Sequence, residues 1–387
     1  MTAARLSSDL ARGLGDELRR RGAKRIAVAM SGGVDSTIAA LLLKEAGADL
    51  FGVTMAIDAA PEALALAATP RVAVDVAHIA ADAARAAAEL GIPHHVVDLG
   101  QEFAAAVVQP YIEAYARGAT PNPCVVCNRD IKFGLLLARA RDLGATHLAT
   151  GHYARVAAAA SGRHLLYRGR DRQKDQSYVL HWLRQDQLAA AVFPVAKLNK
   201  EDVRALARRL GLAAHDRPES QEACFVSGDY RDFLRRAVPE ALRPGPILDA
   251  GGAVLGEHGG LGLYTVGQRQ GLGLGGRRAP GGGPLYVVAL DPARNAVVVG
   301  GRWDLRATGL VARDLNFIPF DRPPGPLQVA TCVRYRGREV ASRVEFDGAA
   351  ARVTFAAPLE AVTPGQSAVF YDGDAVVGGG LIVSALR

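Results

Sequence analysis

Six residues near the start of the chain have the types and spacing for anion chemistry. Ser31-Gly32-Gly33-Val34-Asp35-Ser36 follows a short apolar run, Arg25 to Met30, and precedes a helical pattern, Thr37 to Ala46, that stops at Gly47. At such a junction backbone N–H groups and a helix N-terminus converge, and glycines let the backbone approach a phosphate closely. The segment lacks the GxxxxGK[ST] pattern and the lysine of a Walker A loop, and it is not the GxGxxG of a dinucleotide fold. A lysine-free loop points to pyrophosphate rather than γ-phosphate chemistry. The competing reading is a plain turn in which Asp35 or Ser36 caps the next helix.

Cysteine supplies a second kind of chemistry. The four cysteines, Cys124, Cys127, Cys224 and Cys332, are too few for a secreted disulfide framework in 387 residues, which fits an expected cytoplasmic, reducing setting. Cys124 and Cys127 stand in a proline-rich stretch, Thr120-Pro121-Asn122-Pro123-Cys124-Val125-Val126-Cys127-Asn128-Arg129-Asp130-Ile131-Lys132-Phe133-Gly134, before a helical pattern. A helix N-terminus with Arg129 and Lys132 nearby is expected to lower thiol pKa values and enrich thiolate. Cys224 lies in the polar run Ser220-Gln221-Glu222-Ala223-Cys224-Phe225-Val226. A closed zinc site needs four ligands, and no second C-x-x-C or close Cys/His pair accompanies Cys124 and Cys127. Cys332, beside Val333 in a β-type run, reads as a small buried core residue.

These residues need a scaffold, and the first half of the chain alternates strand-like and helical runs. Strands are expected at Leu50 to Ala56, His94 to Asp98 and Thr146 to Thr150, with helices at Ala77 to Leu90 and Ile131 to Leu143. That rhythm predicts an α/β unit with a parallel sheet. After about Arg217 glycine becomes dense between Gly251 and Gly283 but is interleaved with Leu261, Leu263, Tyr264, Val266 and Leu272, as in a tight, turn-rich domain. Short β-type runs follow, among them Gln328 to Tyr335, Ala351 to Phe355 and Ser367 to Tyr371, which suggest a small barrel. The expected division is 1–216, 217–298 and 299–387. No apolar run reaches the ~18 residues of a membrane helix, and residues 1–24, with Arg5, Arg12, Arg19, Arg20 and Arg21, lack the apolar stretch of a signal peptide. A net charge of +7 fits a polyanionic partner and equally a solvated surface.

A strand followed by SGGxDS resembles the PP-loop ATP pyrophosphatases, with their adenine nucleotide α hydrolase-like sheet, which adenylate an oxygen and release pyrophosphate. Together with the cysteines at both positions, the chain resembles the tRNA-specific 2-thiouridylases, which replace the C2 oxygen of the wobble uridine with sulfur. The likeness extends from Arg25 onward. It includes Gly151-His152-Tyr153-Ala154-Arg155, Lys174-Asp175-Gln176-Ser177-Tyr178, Tyr264-Thr265-Val266-Gly267-Gln268-Arg269, Arg334-Tyr335-Arg336 and Thr363-Pro364-Gly365-Gln366.

The resemblance implies that Ala29, Met30, Ser31, Gly32, Gly33, Val34, Asp35, Ser36, Met55 and Gly151 contact ATP. Mg2+ would bridge the phosphates, with Asp35 as an indirect ligand. Asn122, Pro123 and Cys124 would face the target base, and His152, Lys174, Asp175, Gln176, Arg334, Tyr335 and Gln366 would touch tRNA. Cys224 would carry a persulfide, and Cys127 would act as the nucleophile and end in a disulfide with Cys224. Because many members carry aspartate where this chain has Cys124, the trio Cys124, Cys127 and Cys224 could instead hold a [4Fe-4S] cluster. Persulfide ranks first, cluster second and zinc third. The sulfur donor would be a relay protein or a cysteine desulfurase, and no membrane partner is expected; the sequence leaves the oligomeric state open, with a monomer as the working expectation. The target base must leave the anticodon stack.

Plainer readings compete at several positions. His152 follows a predicted strand end, where open α/β sheets bind ligands, yet a lone histidine is often structural. Arg168, Arg170, Arg172 and Lys174 could grip phosphates or simply face water. Arg334, Arg336 and Arg338 alternate, so a regular strand would put Tyr335 on the opposite face. An amide- or amine-forming PP-loop synthetase would explain the loop but not the cysteines, and a nonenzymatic tRNA-binding or sulfur-carrier protein would not need the loop.

Overall fold

The computed structural model describes residues 3–57, 76–212, 223–226 and 228–387. Helix α1 (Ala3–Arg20) leads into strand β1 (Arg25–Ala29), followed by α2 (Val34–Glu45), β2 (Asp49–Ala56), α3 (Val76–Glu89) and β3 (His94–Asp98). A long helical passage runs through α4 (Gly100–Phe103), a π-helical stretch at Ala104–Val108 and α5 (Gln109–Ala116). The next comprises α6 (Pro123–Val126), a second π-helical stretch at Cys127–Leu136 and α7 (Leu137–Asp142). Then come β4 (His147–Ala149), β5 (Ala154–Ala158), β6 (His164–Arg168), α8 (Gln185–Ala190), β7 (Ala191–Val192), α9 (Lys200–Arg209) and α10 (Tyr230–Ala237).

The expected parallel sheet is present, with strand order β3-β2-β1-β4-β7 and all neighbours parallel. Ile26 pairs with Leu50 on one side and His147 on the other, so the connections leave β1 in opposite directions. That reversal opens a crevice at the carboxyl ends of β1 and β4, the usual ligand position in such sheets. Buried side chains cover both faces, including Ile26, Ile38, Leu42 and Leu43 on one and Phe51, Phe103, Ile131 and Phe133 on the other. Each such burial is worth roughly 1.5–3 kcal/mol.

A second unit contains β8 (Gly245–Leu248), β9 (Val254–His258), β10 (Tyr286–Asp291) and β11 (Ala296–Gly300), in the order β10-β11-β8-β9. Its core takes in Leu261, Leu263, Tyr264 and Leu272, the apolar residues interleaved with the dense glycines. The third unit is a closed antiparallel barrel of β12 (Arg306–Phe317), β13 (Leu327–Cys332), β14 (Glu339–Asp347), β15 (Ala350–Glu360), β16 (Ser367–Asp372) and β17 (Ala375–Leu386), closed by β12 against β17.

Three features depart from the sequence expectations. The helix expected from Ile131 begins at Pro123, because Pro123 suits a first helical turn and the Asn122 side chain caps it by accepting from the Cys124 N–H at 3.2 Å. The strand expected through Tyr335 stops at Cys332, and Arg334–Gly337 is a tight turn with the Gly337 N–H donating to the Arg334 carbonyl and Arg336 at φ +57°. The hairpin β5–β6, inside the expected first domain, joins the barrel's sheet through Ala375 against Tyr167. The sequence change expected near Arg217 and the run Ser220-Gln221-Glu222 lie outside the described residues.

Candidate active site

The segment Ser31–Ser36 bridges β1 and α2. Gly32 takes φ +69°, a conformation that favours glycine. Gly33 occupies the N-cap without any side-chain cap, so neither Asp35 nor Ser36 plays the plain capping role. Instead the Ser36 and Thr37 hydroxyls donate back to the Gly33 carbonyl, both at 3.0 Å, while the Ser31 N–H donates to Ser36 Oγ at 3.3 Å. Thr54 Oγ1 donates to the Met30 carbonyl at 2.8 Å, tying the strand exit to β2. Ala29 and Met55 lie at the carboxyl edges of β1 and β2, where Met55 pairs with Val97.

Asp35 is held from two sides. Tyr153 Oη donates to Oδ1 at 2.7 Å, and Lys200 Nζ donates to Oδ2 at 2.6 Å. Lys200 opens α9 and is buried, with 8% of its side chain exposed against 30% for Asp35. Sequence reasoning missed it, since 165 positions separate the partners and nothing near Lys200 marks it beyond the helix start at Asn199.

Gly151 follows β4 and presses on this loop. A Cβ there would lie 2.7 Å from the Asp35 carbonyl carbon and 2.8 Å from the Ser36 nitrogen. Next to it His152 turns inward. Its Nδ1 is 2.7 Å from Thr150 Oγ1, and its ring packs against Phe133 and Phe193. Burial, with Lys132 nearby, drives its pKa well below the usual range, so the ring is neutral. In this conformation His152 is 8% exposed.

Cys124 and Cys224 are exposed, Cys127 and Cys332 are buried, and all four thiols are free. Cys124, Cys127 and Cys224 share one electrostatic neighbourhood with Lys132. The expected thiolate enrichment is not found. Burial pushes Cys127 up to about 12, outweighing Lys132, and the thiols of Cys124 and Cys224 sit among enough neighbouring atoms to be raised as well. Arg129 does not compensate, because its guanidinium forks onto Asp130 at 2.7 Å and stacks over Trp182. Among the described residues no group of three or more His, Cys, Asp or Glu side chains is placed to hold a single metal ion.

The wide π-helical turn containing Cys127 is a local irregularity of a kind often found at functional sites. A Cβ on Gly134 would approach the Arg129 carbonyl oxygen to 3.0 Å. Gln187 Nε2 donates to the carbonyls of Arg129 and Phe133, and Asn128 Nδ2 donates to that of Val179. Upstream, the Thr120 N–H donates to the Pro364 carbonyl, Gln366 Nε2 donates to the Thr120 carbonyl, and Thr120 Oγ1 contacts Thr265 Oγ1. The stretch before Asn122, Pro123 and Cys124 is therefore pinned to both other units. Gln366, expected at the RNA, is half-buried and uses one amide N–H on this support.

The remaining expected RNA contacts divide by exposure. Asp175 is buried, accepting from the N–H groups of Gly169 and Ser177, from Ser177 Oγ and from Arg168. Arg168 also pairs with Glu339 and lies over Tyr371, so it is internal and not a phosphate grip. Gln176 exchanges hydrogen bonds with the Tyr153 backbone. Lys174 is half-buried and Arg334 exposed. Because Arg334–Gly337 is a turn, Arg336 sits 5.0 Å over the Tyr335 ring and the two share a surface, against the strand expectation. Tyr335 has Cys124 and Asp175 as electrostatic neighbours, which brings this barrel turn to the cysteine loop. Cys332 is buried as expected, and its thiol donates to the Arg334 carbonyl at 3.1 Å.

A parallel sheet whose first strand feeds an SGGxDS turn at the strand-order reversal, joined to two β units, defines a PP-loop nucleotide enzyme. Family models match the whole arrangement: the tRNA methyl transferase HUP domain at 24–228, the tRNA methyl transferase PRC-barrel domain at 231–301 and the aminomethyltransferase beta-barrel domain at 307–382. The tRNA-specific 2-thiouridylase MnmA of Moorella thermoacetica is 49% identical over 366 residues, covering 93% of this chain and 99% of that protein. Those of a Roseiflexus species (46% over 382 residues, 92% and 99%) and Desulforudis audaxviator (45% over 365 residues, 94% and 99%) are similar over the same span. The chain belongs to the family of tRNA-specific 2-thiouridylases. Among the described residues no helix is long and apolar enough to cross a membrane.

Proposed function

We infer that the chain is an ATP-dependent tRNA-uridine 2-sulfurtransferase in which Ser31–Ser36 holds the pyrophosphate of ATP while Cys127 and Cys224 carry out the sulfur step. The observation that carries this reading is the continuity of the site. Gly151 packs on Asp35 and Ser36, the adjacent His152 packs on Phe133 of the helical stretch that begins at Cys127, and Lys132 of that stretch lowers the pKa of all three cysteines. Nucleotide activation and thiol chemistry are therefore proposed to adjoin. The three units are proposed to divide at 216/217 and 298/299, with β5–β6 lent to the barrel.

The C2 carbonyl of uridine has a poor leaving group, so its oxygen attacks the α-phosphate of ATP and pyrophosphate departs. Magnesium would neutralise the phosphates of the nucleotide, with Asp35, already fixed by Tyr153 and Lys200, as its indirect ligand. The terminal sulfur of a Cys224 persulfide then attacks C2 and displaces AMP, leaving the base linked through a disulfide to Cys224. Cys127 attacks the Cys224 sulfur, the 2-thiouridine leaves, and a Cys127–Cys224 disulfide remains for a thiol reductant to reopen. Both thiols begin protonated, so the step depends on loss of a proton from Cys127, which Lys132 favours.

Asn122, Pro123 and Cys124 are proposed to face the base, with exposed Arg334 and half-buried Lys174, Gln176, Tyr335 and Gln366 as RNA contacts. The buried His152 and Asp175 support those surfaces from within. The sulfur donor is proposed to be a persulfide-bearing relay protein or cysteine desulfurase, the setting the cytoplasm and the enzyme a monomer. A [4Fe-4S] cluster on Cys124, Cys127 and Cys224 remains the second reading, after the persulfide.

The test is mass analysis after incubation with tRNA, ATP and a persulfide donor. Cys127→Ser should accumulate a thiol-reversible tRNA adduct on Cys224, and Cys224→Ser should form neither persulfide nor adduct. Iron and sulfide in anaerobically purified protein, lost on Cys124→Ala, would overturn the persulfide route.

A further inference from the structure

The phosphate loop has no lysine of its own, and its one charged residue, Asp35, is negative beside the place where a polyanion must bind. The fold brings a lysine to it from the far end of the first unit. We propose that Lys200 is a substrate-binding residue of the nucleotide site. Its ammonium is neutralised by Asp35 in the free enzyme and turns to the β- and γ-phosphates when ATP enters, then holds the pyrophosphate as it leaves. This rests on the assignment of Ser31–Ser36 as the phosphate loop.

Three observations support it. The first is placement: Nζ lies 2.6 Å from Asp35 Oδ2, on the second residue of the helix whose N-terminus closes the loop. The second is cost. Lys200 is 6% exposed, and a buried ion pair is weak support for stability because desolvation opposes the attraction. A buried pair is better explained where a charge must be kept ready. The third is the rigidity of the mount. The Lys200 N–H donates to Asp171 Oδ2 at 2.9 Å, and Asn199 and Asp202 close a capping box around the start of α9. Asp171 Oδ1 meanwhile accepts from the N–H groups of Gln173 and Lys174, which ties the Lys174 loop to the same mount. Tyr153, donating to the other oxygen of Asp35, keeps that carboxylate in place when the ammonium turns away.

The experiment measures binding of MgATP, pyrophosphate and AMP by titration calorimetry to the full chain and to Lys200→Met and Lys200→Arg. The proposal expects Lys200→Met to weaken MgATP and pyrophosphate at least tenfold and to leave AMP within twofold. Lys200→Arg should recover most of the loss. If Lys200→Met fails to fold, the same substitution in an Asp35→Asn background removes the pair as a pair, and its affinities are compared with those of Asp35→Asn alone. Equal weakening of all three ligands, or no weakening of any, would overturn the proposal. Failure of the unsubstituted chain to bind MgATP would instead overturn the loop assignment beneath it.

Discussion

Gly151→Ala probes the contact between the end of β4 and the phosphate loop with one methyl group. The new Cβ would lie 2.7 Å from the Asp35 carbonyl carbon and 2.8 Å from Asp35 Cβ and the Ser36 nitrogen, against about 3.4 Å for an ordinary contact. The neighbours are mostly backbone at the first turn of α2, so the turn must retreat by about 0.6–0.7 Å, and overpacking of this kind costs ~1–3 kcal/mol. Displacing a binding loop by a large fraction of an ångström is expected to lower turnover by about 10- to 100-fold. The assay pairs thermal unfolding with pyrophosphate release in the presence of tRNA. Gly33→Ala is the steric control for unfolding, because its Cβ would meet only Ser31 Oγ at 3.4 Å and its φ is −82°. A Gly151→Ala enzyme with unchanged melting and unchanged pyrophosphate release would refute the close packing of Gly151 on the loop.

Other outcomes follow from the same geometry. Brief alkylation with iodoacetamide, read by peptide mass mapping, should label Cys124 and Cys224 before Cys127 and Cys332, because only the first two are exposed. Lys132→Met should move the rising limb of the pH–rate profile for thiolation to higher pH, since Lys132 lowers the pKa of all three site cysteines. An unmoved limb would remove Lys132 from the thiol chemistry. Stability should fall as pH drops from 6.5 towards 4. Burial depresses His147 and His181 to about 4, so each is neutral in the fold while the unfolded chain takes up a proton near 6.5. Each histidine then costs ~1.4 kcal/mol per pH unit inside that window. Urea unfolding at pH 7, 5.5 and 4.5 checks this, and His181→Gln should flatten the slope if the variant folds.

What could be read from the sequence was local. Strands β1 and β2 carry apolar runs, the SGGVDS turn sits between a strand and a helix, and the β-type runs of the last third forecast a barrel. Contacts distant in sequence were not legible. Lys200 meets Asp35 across 165 positions, and Gln366 supports Thr120 across 246. Nothing in the spacing could show that the β5–β6 hairpin would continue the barrel sheet at Tyr167 and Ala375. The thiol prediction failed because it weighed the positive neighbours Arg129 and Lys132 and could not see burial, which dominates at Cys127, nor the Asp130 that occupies Arg129. The alternation of Arg334, Arg336 and Arg338 suggested a strand, whereas Arg336 at φ +57° and Gly337 fold that stretch into a turn.

The most direct test of the central claim is joint quantification of 2-thiouridine and pyrophosphate with unmodified tRNA, ATP and a persulfide donor. The account predicts one pyrophosphate released for each 2-thiouridine formed, and loss of 2-thiouridine on Cys127→Ser. Formation of 2-thiouridine without pyrophosphate release, or at an undiminished rate in Cys127→Ser, would contradict it.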